Sequence, residues 1–191
     1  MHHAVVLARP VPLREWRPSF PQGDLRSISL HWTAGDYATV FPAYHFCLSG
    51  ARDVVVHHTY DLRANMRDVP ADPHAPYAPH TRGRNAWSIG VSICAMLEAT
   101  PADFGHYPIT EEQFAAMCSV CAELARFYAI ELGAIRTHAE AALEDGYFGA
   151  GEEQRWDIAR LLPANEPLLP SEATATGDRF RTRIAELIAH G

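Results

Sequence analysis

Ile28-Ser29-Leu30-His31-Trp32-Thr33-Ala34-Gly35 is a short apolar run that ends in a histidine and breaks into a small-residue turn. It predicts a strand over about Ser27–Trp32. A strand holds its last side chain rigidly, and Ala34-Gly35 leaves open space beside it, which suits a metal ligand with one accessible side. Far downstream stand Thr137-His138-Ala139-Glu140 and then Arg155-Trp156-Asp157-Ile158. Together these stretches supply two imidazoles and a carboxylate, a set that leaves zinc a fourth position for water.

Outward from that run, Gly35–Thr39 reads as a turn and Tyr44–Leu48 as a second strand. Ser49-Gly50 marks a hairpin, with Asp53–His58 as the returning strand. Trp87–Met96, the most continuous apolar run, predicts a central strand buried on both faces. Residues 1–25 are proline-rich and read as an irregular lead-in with one edge strand at Ala4–Ala8. Residues 63–85 are rich in Pro, Asp, His and Arg, a loop long enough to expect function from it.

The clearest helix opens at Thr110-Glu111-Glu112-Gln113, a capping-box pattern with acids at the positive helix start. Phe114, Met117, Cys118, Cys121, Leu124, Ala125 and Tyr128 recur at helical spacing, and Gly133 comes just past the expected end. Ala134–His138 reads as a short segment delivering His138, and Ala139–Gln154 as an acidic loop. Leu161–Thr176 reads as a proline-rich connector and Arg179–His190 as a closing amphipathic helix. No repeat and no second core is evident, so the expectation is one α/β domain.

The 191 residues suffice to bury a core, and 48% hydrophobic with 20% charged residues is ordinary for a globular chain. A net charge of -7 without a basic stripe argues against nucleic-acid partners. No apolar run is long enough for membrane insertion. The N-terminus lacks the basic and apolar regions of a secretory signal, so the chain reads as cytoplasmic at synthesis. Cys118 and Cys121 stand at i and i+3 within the helical pattern, with no second pair to complete a zinc knuckle. With Cys47 and Cys94 they read as small, reduced core residues.

With these residues laid out, the chain resembles the type 2 N-acetylmuramoyl-L-alanine amidases, a family that includes phage lysozyme-type amidases and peptidoglycan recognition proteins. The resemblance is carried, in order, by His31-Trp32-Thr33-Ala34-Gly35, Tyr44-His45-Phe46, and His80-Thr81-Arg82-Gly83 with Asn85. Ser88-Ile89-Gly90-Val91, Thr137-His138-Ala139-Glu140 and Arg155-Trp156-Asp157 complete it. It implies a single α/β domain with a central mixed β-sheet flanked by helices. The site-bearing part would span residues 26–162, with 163–191 as a connector and helix packed on the same domain. It further implies one zinc ion held by His31, His138 and Asp157, with Tyr44 beside the nucleophilic water and Arg155 where the family commonly has a lysine.

The implied reaction is hydrolysis of the amide joining the lactyl group of N-acetylmuramic acid to the first L-Ala of the stem peptide. Peptidoglycan or a muropeptide would be the partner of a monomeric chain. Arg155 and Asp157 stand two apart, so in an extended segment they face one centre, where a fixed cation could stabilise the developing oxyanion. Arginine keeps lysine's charge but changes its shape. His80, Asn85, Trp32 and Thr33 are expected to contact substrate. Some members place a glutamate base where this chain has Ser92. Glu140 and Asp145 are the alternative carboxylate ligands within the long segment before Asp157.

Other histidines read differently. His45 alternates away from Tyr44 and is expected to support the sheet, while His57 and His58 read as edge residues. His74 and His106 have no motif around them. Two further functions remain open: a peptidoglycan-binding module without activity, and a cytosolic amidase that recycles muropeptides.

Overall fold

In the computed structural model, which describes residues 9–69, 76–148 and 156–191, the run around His31 forms a strand at Ser27–Trp32, as its apolar character predicts. The strands β1 (Val11–Pro12), β2 (Ser27–Trp32), β3 (Phe46–Ser49), β4 (Val55–His58), β5 (Ser88–Ile93) and β6 (Ile135–Thr137) build one sheet in the order β1-β4-β3-β5-β2-β6. β2 runs parallel to β5 and β6, and β5 parallel to β3, whereas β3–β4 and β4–β1 are antiparallel. The sheet is therefore mixed. The edge strand expected at Ala4–Ala8 lies outside the described residues.

Register decides which side chains share a face. Ile28 pairs with Ile89 and Ile135, and Leu30 with Val91, which in turn pairs with Phe46. These belong to the main core, with α1 (Glu111–Tyr128) and α3 (Pro170–His190) packed against it. One residue on, the other face carries His31, Ser92, Cys47 and His57 in a row. Every residue of β5 is buried, as expected of a central strand. No described helix is long and apolar enough to cross a membrane.

α1 begins at the predicted capping box: Thr110 Oγ1 accepts from Gln113 N–H at 3.1 Å, and Gln113 Oε1 accepts from Thr110 N–H at 3.2 Å. It ends before Gly133. Ala129 takes the left-handed conformation (φ 54°), and the Ile130 N–H closes on the Ala125 carbonyl, so the helix closes on Ala129 and Gly133 lies four residues beyond it. All four cysteines are free and buried, and burial pushes the Cys118 thiol up to about 12.

Two stretches expected as irregular are partly helical. α2 (His138–Glu144) occupies the start of the acidic stretch. Thr137 Oγ1 accepts from Glu140 N–H at 3.1 Å and Glu140 Oε2 accepts from Thr137 N–H at 2.9 Å, a second capping box. α3 starts at Pro170, nine residues before the expected start at Arg179, inside the predicted connector. Proline suits a first helical turn, where its missing N–H is not needed, and Glu172 Oε2 caps Leu169 N–H at 3.0 Å.

α3 is fixed at the middle of its buried stripe and at its first turn. Phe180 is fully buried against Phe114, with ring centroids 4.5 Å apart, and truncating such a residue to alanine costs about 3–5 kcal/mol. Arg181 donates to both Glu140 carboxylate oxygens (2.8 and 3.0 Å) and to the Ile135 carbonyl, tying α3 to α2 and β6. Buried Arg160 donates to the carbonyls of Pro101, Ala164, Glu166 and Pro167 and to Glu172 Oε2 at 2.6 Å. One cation thus folds the proline-rich stretch back on the domain.

Candidate metal centre

His31 is the penultimate residue of β2, a strand flanked by partners on both sides, and is fully buried. His138 opens α2, where the Thr137–Glu140 capping box sets the direction of the first turn. Asp157 reaches the same point from the last described segment, and its carbonyl accepts from Ala139 N–H at 3.1 Å. The turn after it is tight: Ile158, buried and β-branched, adopts φ 60°. Such a conformation costs on the order of 1–3 kcal/mol and persists only where the surroundings enforce it.

These three side chains converge. Asp157 Oδ2 lies 3.1 Å from His138 Nδ1 and 3.5 Å from His31 Nδ1, and one donor atom from each residue falls within 4.8 Å of the other two. Burial pushes the Asp157 carboxyl up, but its contacts with His138 and His31 outweigh burial and hold it below the usual carboxylate range. Two imidazoles and one anionic carboxylate gathered in a buried spot fit a divalent cation such as zinc. Glu140 and Asp145 are engaged elsewhere, Glu140 with Arg181 and Asp145 with Arg84, whose guanidinium also binds Glu144.

Tyr44 stands two residues before β3. Its ring centroid is 5.0 Å from that of His31, and its hydroxyl donates to the Trp32 carbonyl at 3.3 Å. Trp32 is buried and meets Trp156 edge-on at 4.3 Å, and Trp156 in turn lies against Phe104. Thr33 is buried and its hydroxyl accepts from Gly35 N–H, bracing the turn that ends β2. Arg155 lies outside the described residues.

The segment after β4 brings His80 and Thr81 against His31. Buried Asn65 organises it, donating to the Ala78 and Asn85 carbonyls and accepting from Ala78 N–H. Asn85 Oδ1 accepts from Thr81 N–H at 2.8 Å. His80 is buried over Gly90, where an added Cβ would come within 2.5 Å of the imidazole, so the glycine makes its room. Its Nδ1 lies 3.0 Å from Thr81 Oγ1, and that oxygen lies 3.1 Å from His31 Nε2. Burial, reinforced by His45 and His31, lowers the His80 pKa well below its ordinary value. His80, Asn85 and Thr33, expected against substrate, are thus buried side chains with internal partners.

His45 supports the sheet as expected: its Nδ1 accepts from Gly90 N–H at 3.0 Å, and burial lowers its pKa to about 3. His57 Nε2 lies 2.7 Å from Ser49 Oγ, and His58 stacks on Phe46. His74 lies outside the described residues, and His106 is exposed. Sequence reasoning names Thr81 within a motif but gives it no role, and it does not single out Asn65; both roles are set by tertiary contacts. It also leaves unread the Thr137-x-x-Glu140 spacing, which is a usable helix-start signal.

No curated protein matches the chain. Among solved structures it is similar to the Ph2119 endolysin from Thermus scotoductus MAT2119 bacteriophage Ph2119, with 15% identity and a TM-score of 0.41 over 64% of this chain and 76% of that one. It is also similar to AmpDh3 from Pseudomonas aeruginosa, with 18% identity and a TM-score of 0.44 over 85% and 63%. These likenesses are distant, and assignment rests on the sequence family. The model of the N-acetylmuramoyl-L-alanine amidases matches residues 21–155, well over half of the chain, so the protein belongs to that family.

Proposed function

We propose that the chain is a zinc-dependent hydrolase cleaving the amide between the lactyl group of N-acetylmuramic acid and L-Ala of the peptidoglycan stem peptide. The observation that carries this reading is the convergence of His31, His138 and Asp157 donor atoms within 4.8 Å, on a chain whose family is that of amidases. Bound by these three residues, zinc would supply Lewis acidity for water activation and carbonyl polarisation.

The chain's own groups divide the remaining work. Asp157 brings the one negative charge of the donor set and, through Ala139 N–H, keeps His138 and its own turn in step. The Tyr44 hydroxyl, held on the His31 side by the Trp32 carbonyl, would orient the nucleophilic water and hold its proton at the phenol oxygen. Arg155 would supply a fixed cation for charge developing on the amide oxygen. Trp156, the residue before Asp157, packs against Trp32 and Phe104 and would steady the Asp157 turn.

The test follows release of stem peptides from purified cell walls by zinc-loaded protein, with and without chelator. Release that stops with chelator and with Asp157→Ala supports the reading. Retained binding without release from the zinc-loaded wild-type chain overturns it in favour of a recognition module. Comparing intact walls with soluble muropeptides then assigns wall cleavage or recycling.

A further inference from the structure

α2 is seven residues long, too short to hold its shape by its own hydrogen bonds. Its far end is also unfavourably charged. Glu144 and Asp145 set two carboxylates where the carbonyls of a helix end are already negative, and the last turn carries no basic residue of its own. The compensating cations come from other elements. Arg136 of β6 donates to Glu144 Oε1 at 2.9 Å. Arg84, 61 residues before Asp145, donates from Nη1 to Glu144 Oε2 at 2.7 Å and from Nε and Nη2 to the two Asp145 oxygens at 2.7 and 2.6 Å. Each pair is partly exposed and so modest in energy, but the guanidinium fork fixes the direction as well as the distance.

Both sides of this clamp lead to the metal centre. Arg84 closes a turn on Thr81, its N–H donating to the Thr81 carbonyl at 3.1 Å around Gly83 (φ 72°), and Thr81 Oγ1 lies 3.1 Å from His31 Nε2. On the other side, Gly146 (φ 75°) turns the chain just after Asp145, and Tyr147 N–H closes on the Ala142 carbonyl at 2.9 Å. That turn lays the Tyr147 ring 6.2 Å from the ring of His138. We propose that Arg84 is a positioning residue that ties the exit of α2, with Tyr147 beside His138, to the turn that brings Thr81 to His31. The proposal deepens the metal-site reading and rests on it. The Thr137 cap and Arg181 fix the start of α2, and Arg84 fixes its end. Through Thr81 and Tyr147 it sets the spacing of two imidazoles that come from distant parts of the chain.

The test uses the full chain and reads amide hydrogen exchange without metal, and zinc affinity by chelator competition. In Arg84→Gln and, from the other side, Asp145→Asn, the amides of Asp145, Gly146, Tyr147 and Phe148 are expected to exchange about 3–10-fold faster, with those of α1 unchanged. Zinc affinity is expected to fall by a similar factor. Arg84→Glu is expected to do the same, and Arg84→Glu combined with Asp145→Arg to recover both readings, because the reversed pair rebuilds the tie. Unchanged exchange at those amides overturns the proposal. Faster exchange that extends equally into α1 also overturns it, since Arg84 is then a general stabiliser, as does faster exchange with unchanged zinc affinity. If the wild-type chain binds no zinc, the metal reading fails, and the metal-free His138 ring resonances still decide: a shift in Arg84→Gln supports the tie, and none refutes it.

Discussion

Replacing Gly177 by alanine should reverse the usual rule for helices. Within a helix, glycine to alanine ordinarily stabilises by about 1 kcal/mol. Gly177 lies inside α3, but an added Cβ would come within 2.1–2.4 Å of the Glu140 carboxylate. A free glutamate would swing aside at little cost. Glu140 is held by Arg181 at 2.8 and 3.0 Å and by Thr137 N–H at 2.9 Å, and is buried. Breaking a buried pair costs about 3–5 kcal/mol, so the net loss is about 2–4 kcal/mol after the helix gain. In a domain of this size that lowers Tm by about 5–15 °C. Because Glu140 also caps the helix that begins with His138, zinc affinity should fall in parallel. Urea and thermal unfolding of Gly177→Ala in the wild-type and Glu140→Ala backgrounds provide the assay. In the second background the clash is gone and the substitution should stabilise. A stabilising effect in the wild-type background would refute the reasoning.

Three further outcomes are expected. Tyr44→Phe keeps zinc content and lowers kcat by about 10²–10⁴-fold, read by steady-state kinetics with metal analysis; an unchanged kcat removes the phenol from the proton path. Chelator should lower the Tm of the wild type and leave Asp157→Ala unmoved, since zinc at 100 times its Kd stabilises by about 2.7 kcal/mol. His45 titrates at about 3 in the fold against 6.5 when free, so between those values the unfolded chain binds the extra proton and stability falls as pH drops. His45→Asn, which keeps an acceptor near Gly90 N–H, should flatten the dependence of unfolding free energy on pH between 6 and 4 by about 1.4 kcal/mol per pH unit. An identical slope would show that His45 is not buried as a neutral ring.

Legibility in the sequence followed how local each determinant is. β2 and α1 were readable because their apolar spacing and the Thr110 cap act within a few residues. α2 was hidden by brevity and acidity, although its Thr137–Glu140 cap stood in plain view. The first half of α3 was hidden because Pro170 signals a break to local reasoning, whereas Arg160 and Glu172 make it a start. His31, His138 and Asp157 were found as residue types at strand and segment ends, and the fold brings them together. The inward aim of His80 depends on the missing side chain of Gly90 in a different strand, which no local pattern encodes.

The two margins of the sheet have a consequence for behaviour at high concentration. β1 is two residues long and one of them is Pro12, which has no amide hydrogen to offer, while β6 at the opposite margin is three residues long. Among the described residues, neither margin presents the long open ladder that lets a neighbouring molecule zip on as an extra strand. These short described borders disfavour cross-strand fibre growth from the native state, so aggregation of this protein is expected to track unfolding rather than concentration alone.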